Sequence, residues 1–211
     1  MNFDGLARHY DWMEKVTAGS RLQRMRTHWL EKLAGRRNIL SAGEGHGRFA
    51  AACVARYPQA RMTCVEGSGA MIAKAKARPG LQSANVTWVQ ADVLNWTYQE
   101  KYDAVVTCFF LDCFPEETLS RIVAKLSDAA ADEAIWLVVD FAVPTSGWAR
   151  WRALFVHALM YRFFRLATKL PAKRLVPPDA FLEAQGFKRV DRVETEWGLL
   201  RADVWRRKVL P

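Results

Sequence analysis

The stretch from Asn38 to Phe49, NILSAGEGHGRF, decides the fold, because an apolar run leads directly into a loop with three alternating glycines. The glycines are Gly43, Gly45 and Gly47. Glycine lets a backbone turn sharply and come close to another group, since it has no side chain. In an open parallel sheet, the loop after the first strand lies where ligands bind. The stretch therefore predicts either a ligand-binding loop or a tight strand-to-helix turn.

Apolar runs that alternate with helical patterns continue along most of the chain, and continuous apolar strands are typical of a parallel sheet covered on both faces. The strands are predicted at residues 38–42, 60–66, 85–91, 102–111, 133–141, 187–195 and 199–206. The helices are predicted at 20–35, 48–57, 68–78, 115–130 and 178–186. The short turn at Trp197-Gly198 can join only antiparallel strands. We therefore expect an α/β fold, a doubly wound, mostly parallel seven-stranded sheet with a C-terminal antiparallel pair and helices on both faces.

The segment between the fifth and sixth predicted strands has the most unusual composition. Residues 141–178 contain seven basic residues and no acid. One helical stripe of this segment carries large apolar side chains, namely Trp148, Trp151, Phe155, Leu159, Phe163 and Leu166. We predict a helical, basic and aromatic insertion at about 145–178, within a single domain that spans residues 1–211. The insertion is either a packed helix with a solvated basic face, a lid, or a patch that binds an anionic acceptor or makes a weak contact with an anionic membrane surface.

The composition is that of a globular protein in a reducing compartment. The chain has 211 residues, of which 51% are hydrophobic, and it carries a formal net charge of +9. Its four cysteines are scattered, without a CxxC pair or a cysteine–histidine cluster, so we expect free thiols and no metal site. The N-terminal stretch lacks the apolar core of a signal peptide, and no apolar run is long enough to span a bilayer. These features predict a cytoplasmic protein.

Two acids at the ends of the next strands indicate which ligand the glycine loop binds. Glu66 closes the second strand, about twenty residues past the glycines, where a carboxylate can bind the two hydroxyls of a ribose. Asp92 follows the third strand, where a carboxylate can accept a hydrogen bond from an adenine amino group. Alternatively, Glu66 is a solvated acid and Asp92 is an ordinary turn residue. Together with the glycines, the two acids favour a ligand that contains adenosine.

The loop sequence favours S-adenosylmethionine over other ligands that contain adenosine. The dinucleotide pattern GxGxxG requires a third glycine where Arg48 stands, and the GK[ST] signature of a phosphate loop is absent. Glu44 lies within the loop, and a carboxylate is unfavourable beside a pyrophosphate but favourable beside a positively charged sulfonium. We therefore expect S-adenosylmethionine as the cofactor.

The chain resembles the class I S-adenosylmethionine-dependent methyltransferases. Their first motif, an apolar strand followed by acid-x-Gly-x-Gly-x-Gly, is similar to ILSAGEGHG, in which Ser41 replaces the acid. ARHYDWM is similar to an N-terminal element of quinone-type and small-molecule methyltransferases, and YDAVVTCFF is similar to the strand that faces the methionine part. The spacing and the resemblance together predict cofactor contacts from Tyr10, Gly43, Glu44, Gly45, Gly47, Glu66, Gly67, Asp92, Val93, Cys108 and Phe109.

Methyl transfer needs few catalytic residues, because the sulfonium is already an activated methyl donor. Alignment of the acceptor with the methyl group can supply roughly 7–11 kcal/mol of the barrier reduction. The candidates for a catalytic base are Asp112, after the fourth strand, and His157, in the late basic segment. Alternatively, Asp112 caps the helix that begins at Pro115, and His157 serves only surface or packing roles.

The acceptor is predicted to be a small molecule of apolar or aromatic character, a class that includes lipid-like molecules. Two alternatives stay open: a nucleic-acid or protein methyltransferase that uses the basic segment, and a non-catalytic protein that binds S-adenosylmethionine. Nucleic-acid amino methyltransferases carry an Asp/Asn-Pro-Pro-aromatic motif after the fourth strand. The sequence DCFP at Asp112–Pro115 differs from that motif, which disfavours a nucleic-acid acceptor.

Overall fold

A computed structural model describes residues 19–82, 85–144, 146–148, 150–155 and 175–207. The strands are β1 Asn38–Ala42, β2 Arg61–Glu66, β3 Val86–Gln90, β4 Tyr102–Cys108, β5 Ala130–Phe141, β6 Phe187–Thr195 and β7 Leu200–Arg207. The helices are α1 Gly19–Thr27, α2 Arg48–Arg56, α3 Gly69–Lys76, α4 Glu116–Ala129 and α5 Asp179–Ala184, with 3-10 turns at Leu30–Leu33 and Leu111–Cys113. Each predicted strand is present, and β1 has the predicted ends.

The seven strands form one sheet in the order β3-β2-β1-β4-β5-β7-β6. The neighbours among β1 to β5 pair in parallel, whereas β7 is antiparallel to both β5 and β6. In the tight turn between β6 and β7, the Gly198 N–H donates to the Thr195 carbonyl at 3.1 Å. The prediction of a mostly parallel sheet with a C-terminal antiparallel pair is confirmed.

Apolar side chains cover both faces of this sheet. Leu40 and Val105 belong to one core cluster, while the preceding residues Ile39 and Ala104 belong to another. All four side chains are fully buried. Successive residues of a strand point to opposite faces, so a strand with two covered faces must be apolar throughout. This explains the continuous apolar runs of the sequence and confirms that helices pack on both faces.

The order in which successive strands are added to the sheet reverses between β1 and β4. These two strands are neighbours, although β2 and β3 lie between them in sequence. The carboxyl ends of β1 and β4 therefore flank a crevice of the kind in which α/β sheets bind ligands. The glycine loop follows β1 at this edge, and Phe109 and Phe110 follow β4.

The first predicted helix is interrupted in its second half. It ends at Thr27 and resumes as the 3-10 turn Leu30–Leu33. Trp29 lies at the interruption with φ −103° and ψ 22°, outside the α-helical region. Its indole Nε1 donates to the carbonyl of Ala202 at 2.9 Å and so ties this segment to β7. A tertiary hydrogen bond therefore overrides the helical pattern at this point.

The start of the predicted basic insertion lies among the described residues. Residues 147–148 and 150–155 are helical. Trp148, Trp151 and Phe155 are 72%, 75% and 72% exposed, so this part of the apolar stripe does not pack inward. The rest of the stripe lies outside the described residues. Within the described part of the chain, no helix combines the length and the apolar character needed to cross a membrane.

Candidate functional site

The three glycines of the loop after β1 serve two different purposes. All three have positive φ, at 69° for Gly43, 65° for Gly45 and 79° for Gly47. A Cβ atom on Gly43 would lie 2.1 Å from the Phe110 ring, and one on Gly47 would lie 2.9 Å from Leu81. A Cβ atom on Gly45 would meet nothing within 4 Å. Two of the glycines thus permit close packing, and Gly45 faces open space.

Glu66 holds its carboxylate beside that open space. Its side chain accepts the Gly45 N–H on Oε2 at 3.0 Å and the Ser68 N–H on Oε1 at 2.9 Å. The residue is only 7% exposed, so the alternative of a solvated acid is wrong. A carboxylate has about four acceptor positions, and these two bonds fix its orientation at the end of β2.

Glu44 turns its carboxylate away from the open face of the loop and toward the sheet. It accepts the Ser41 hydroxyl on Oε2 at 2.5 Å and the Ala50 N–H on Oε1 at 2.8 Å. The second bond is to the first turn of α2, where backbone N–H groups lack helical partners. Burial raises the pKa of Glu44 to about 6, although these hydrogen bonds and the charge of Arg26 oppose the rise.

Arg26 is a buried cation at this site that the sequence reading missed. The residue is 6% exposed, and its guanidinium lies 5.0 Å from the centre of the Phe109 ring. Its charge acts on both Glu44 and Cys108. The adjacent residue, Met25, lies on the buried face of α1 and packs in the core. An arginine beside that face was the one available signal.

The predicted contacts at the end of β4 lie against this arginine. The Phe109 N–H donates to the Val139 carbonyl at 2.6 Å, and the residue has a φ of 53° that is unusual for a side chain of its size. Cys108 is partly buried, and burial raises the pKa of its thiol. The thiol is therefore protonated at neutral pH.

The predicted adenine contacts follow β3. Asp92 is exposed, and its Oδ1 accepts the Leu94 N–H at 2.9 Å, as the alternative of a turn aspartate requires. Val93 beside it is 5% exposed. A Cβ atom on Gly67, which follows β2, would lie 3.9 Å from the carbonyl oxygen of Ala91, an ordinary van der Waals distance. The two remaining site candidates, Tyr10 and His157, lie outside the described residues.

Two buried carboxyl groups lie on the other side of Phe110. Asp112 is 8% exposed and belongs to the 3-10 turn after β4. It does not cap α4, which begins after Pro115 without a side-chain cap. Asp140, at the end of β5, is 1% exposed, and its Oδ1 accepts the Phe110 N–H at 3.1 Å. Burial raises the pKa of Asp112 to about 6, and burial together with the charge of Asp112 raises the pKa of Asp140 well above its usual value.

A partly buried ion network, in which Arg189, Arg192 and Arg201 all contact Asp179, lies beside Asp140. Arg201 of β7 pairs in register with Asp140, is 5% exposed and lies 2.8 Å from Asp179. Arg192 of β6 lies 2.7 Å from the same aspartate and 2.6 Å from Asp203, which is fully buried. Within the described ranges, no cluster of three or more histidine, cysteine, aspartate or glutamate side chains is arranged to hold a metal ion.

The segment that contains the glycine loop matches a known protein-family model. A family model described as "Methyltransferase domain" matches residues 39–133, which include β1 to β4 and α4. The matched segment, slightly under half of the chain, is thus similar to a methyltransferase domain. The resemblance noted from the sequence is thereby confirmed.

One curated relative is similar to part of this chain, and solved structures share its fold. Malonyl-[acyl-carrier protein] O-methyltransferase from Paenibacillus sp. (strain JDR-2) is 32% identical over 99 residues, which are 44% of this chain and 36% of that protein. The chain thus matches about a third of that relative's length. N-methyltransferase NodS from Bradyrhizobium japonicum WM9 has 16% identity and a TM-score of 0.63, covering 89% of this chain and 97% of that one. Magnesium protoporphyrin IX methyltransferase from Synechocystis PCC 6803 has 20% identity and a TM-score of 0.65, covering 88% and 83%.

Proposed function

We propose that this protein transfers a methyl group from S-adenosylmethionine to a small-molecule acceptor. The observation that carries the proposal is the pairing of Gly45 with Glu66 at the carboxyl end of the sheet. The glycine faces open space, and the buried carboxylate is fixed beside it. A nucleoside can approach the backbone there, and its ribose hydroxyls can donate to Glu66. The similar N-methyltransferase NodS has a structure in complex with S-adenosyl-L-homocysteine, which supports this ligand class.

The charges around the loop fit a ligand with a sulfonium and an amino-acid part. Glu66 places a carboxylate beside the open face at Gly45, which disfavours a pyrophosphate, whereas the carboxylate of Glu44 turns inward to Ser41. Arg26 is the buried cation on the same side, and it would bind the carboxylate of the methionine part. When bound, S-adenosylmethionine would supply an electrophilic methyl group. The chain's own residues have to hold the ligand, align the acceptor and exclude water.

The remaining predicted contacts keep their places in this proposal. Asp92 and Val93 would contact the adenine, and Cys108 and Phe109 would face the methionine part at the end of β4. Tyr10 would close over the ligand. Arg26 joins this set, because its guanidinium stacks on Phe109.

The aromatic residues at the ends of β4 and β5 favour a small-molecule acceptor over a polymer. Phe109 and Phe141 pack with ring centroids 5.4 Å apart, and Phe110 and Phe114 pack at 5.0 Å. Phe110 and Phe114, which flank Asp112 in the chain, thus supply aromatic surface close to the end of β4. The similar solved structures include methyltransferases whose names specify protoporphyrin IX and mitomycin. A protein or nucleic-acid acceptor bound by the basic segment is the rival function.

Calorimetric titration with S-adenosylhomocysteine and with NAD tests the proposal. We expect binding of the first and none of the second. Gly45→Ala should weaken the binding of S-adenosylhomocysteine, because it adds a methyl group to the open face of the loop. Binding of NAD alone would overturn the assignment. An acceptor screen with radiolabelled S-adenosylmethionine would then separate small molecules from RNA and protein.

We further propose that the protein works in the cytoplasm and makes a weak contact with anionic membrane surfaces. All four cysteines are free, which supports a reducing compartment. Trp148 and Trp151 are exposed beside Arg150 and Arg152 at the carboxyl edge of the sheet. Exposed indole rings next to arginines are typical of a surface that contacts a membrane interface.

A further inference from the structure

Glu44 of the glycine loop places a negative charge at the end of β1. Its Oε2 accepts the hydroxyl of Ser41 at 2.5 Å, and Ser41 is itself 2% exposed. Ser41 lies opposite Val106 of β4 in the strand register. The charge of Glu44 therefore lies close to the carboxyl ends of β1 and β4, the two strands between which the strand order reverses.

The opposite charge at this place comes from Arg26 of α1. Arg26 is 6% exposed, and its charge opposes the rise in the pKa of both Glu44 and the Cys108 thiol. The charge of Glu44 acts on the same thiol in the opposite direction. Since Cys108 ends β4, a guanidinium and a carboxylate both lie near the last residue of that strand. The helix, the loop and the strand thus bring two opposite charges to one corner of the carboxyl edge.

The hydrogen bonds of Glu44 do not by themselves require a charged side chain. Its carboxylate accepts the Ser41 hydroxyl and the N–H groups of Ala50 and Phe49. A glutamine could accept from Ala50 through its oxygen and donate to Ser41 through its amide nitrogen. A carboxylate has about four acceptor positions, and these three donors from the described residues leave one of them for a ligand. The charge of Glu44 is therefore available for a role other than holding the loop.

We propose that Arg26 and Glu44 form a subsite for a zwitterion, in which Glu44 binds the ammonium group and Arg26 the carboxylate at the amino-acid end of the bound nucleoside. This inference rests on the proposed function and makes Glu44 a residue that determines which nucleosides bind. An α-amino acid carries both charged groups on one carbon, so it requires a cation and an anion that lie close together. Arg26 and Glu44 supply that pair from two different elements.

The charge balance of the pair distinguishes a zwitterion from other ligand groups. One guanidinium and one carboxylate are neutral together, as the amino-acid end of the ligand is. An arginine alone would attract any anion, including a phosphate, whereas the neighbouring carboxylate repels a ligand group that carries only negative charge. Glu44 thus adds selectivity to the attraction that Arg26 provides.

Calorimetric titration with S-adenosylhomocysteine and with methylthioadenosine tests the proposal. Both nucleosides carry adenosine and a thioether, and only the first carries the amino-acid end. We expect the wild type to prefer S-adenosylhomocysteine. Glu44→Gln should reduce this preference at least about tenfold, as the loss of a charge-assisted hydrogen bond predicts, and should leave the affinity for methylthioadenosine unchanged. An unchanged preference, or an equal loss of affinity for both nucleosides, would overturn the proposal.

Two further variants assign the effect to a charge at this place. Glu31→Gln, at an exposed residue of the 3-10 turn after α1, is the matched control and should change neither affinity. Ser41→Asp combined with Glu44→Gln moves the carboxylate from the loop back to β1 and should restore part of the preference, because the two side chains are in contact. A double variant with no more preference than Glu44→Gln would contradict the role of the charge. Failure of the wild type to bind either nucleoside would instead contradict the proposed function, so the two failures are distinguishable.

The pH dependence of wild-type binding gives a readout that does not depend on the folding of a variant. The charged and titratable groups around Glu44 are Arg26, Glu66 and the thiols of Cys53, Cys64 and Cys108. The thiols stay neutral because burial raises their pKa, and Glu66 acts on the ribose that both nucleosides share. Lowering the pH through about 6 protonates Glu44, so the preference for S-adenosylhomocysteine should fall. A preference that stays constant as the pH falls through this value would exclude Glu44 from the subsite.

Discussion

The two halves of the carboxyl edge of the sheet are assembled in different ways. On the β1–β3 half, the proposed cofactor contacts come from a continuous stretch of chain, and Glu66 binds Gly45 only 21 residues away. On the β4–β7 half, Arg201 of β7 lies opposite Asp140 of β5 in the strand register. Arg201 also forms an ion pair with Asp179, which belongs to α5. A local loop can be recognised from its spacing, whereas a buried ion network forms only when distant elements meet.

The largest expected effect is on the stability of the β4–β7 half. Arg201→Met removes a buried cation and leaves Asp140 and Asp179 with less compensation. Breaking a buried ion pair from one side typically costs 3–5 kcal/mol. We expect the free energy of unfolding in urea to fall by at most about that amount, because Asp179 keeps Arg189 and Arg192 as partners. Arg206→Met is the control, because Arg206 is an exposed neighbour on the same strand and should cost little. Equal losses in the two variants would mean that the network does not stabilise the fold.

The contrast explains what the sequence could and could not predict. β1 was predicted with correct ends, since its apolar run stops at a glycine, and the antiparallel pair followed from the turn at Trp197-Gly198. The predicted start of β5 was three residues late, because Ala130 continues directly from α4 without a turn signal. Arg26 was missed, because a buried cation in an amphipathic helix has no periodic signature.

The charged network could not be predicted from the sequence, because its members come from elements that are distant in the chain. Asp112 was recognised as an acid after a strand, but nothing in the sequence indicates that Arg201 of β7 lies beside Asp140 of β5. Glu44 was placed correctly in the loop, yet its carboxylate binds Ser41, the residue that replaces the acid of the family motif. Glu44, three residues later in the chain, therefore places a carboxylate next to Ser41.

The second prediction tests this inward-facing carboxylate. Folding raises the pKa of Glu44 from 4.5 to about 6, so the folded state binds a proton more tightly than the unfolded state does. The resulting stability is present below about pH 4.5 and is lost as the pH rises through about 6, a change of about 2 kcal/mol. Glu44→Gln should lack this loss. Urea unfolding of both proteins across this pH range measures the difference, and parallel curves would contradict the assigned pKa.

The third prediction returns to the cofactor half. Glu66→Ala removes the proposed acceptor of the ribose hydroxyls and should weaken S-adenosylhomocysteine binding at least about tenfold, or roughly 1.4 kcal/mol. It also frees the Gly45 and Ser68 N–H groups, so a smaller loss of stability should accompany it. Calorimetry measures the affinity. Glu117→Ala, on the exposed first turn of α4, is the control. An affinity unchanged by Glu66→Ala would place the ligand elsewhere.

The smallest expected effect concerns the exposed aromatic surface at the rim of the β4–β7 half. This surface consists of Trp148, Trp151, Phe155 and Trp197, and the guanidinium of Arg152 lies 4.7 Å from the centre of the Trp197 ring. Its position at the carboxyl edge would bring a membrane-dissolved acceptor close to Asp112. Each basic residue near an anionic surface contributes about 1 kcal/mol, so binding should be weak.

Sedimentation with anionic and with neutral vesicles measures this contact. We expect binding to anionic vesicles at low salt, and we expect it to fade as the Debye length falls from about 30 Å at 0.01 M to about 8 Å at 0.15 M. Trp151→Ser should weaken it, because Trp151 is 75% exposed and its indole would lie at the lipid interface. Val190→Ser, an exposed apolar residue on β6, should not. Equal sedimentation of Trp151→Ser and wild type would leave only diffuse attraction by the net charge of +9, and the acceptor would then have to reach the crevice from solution.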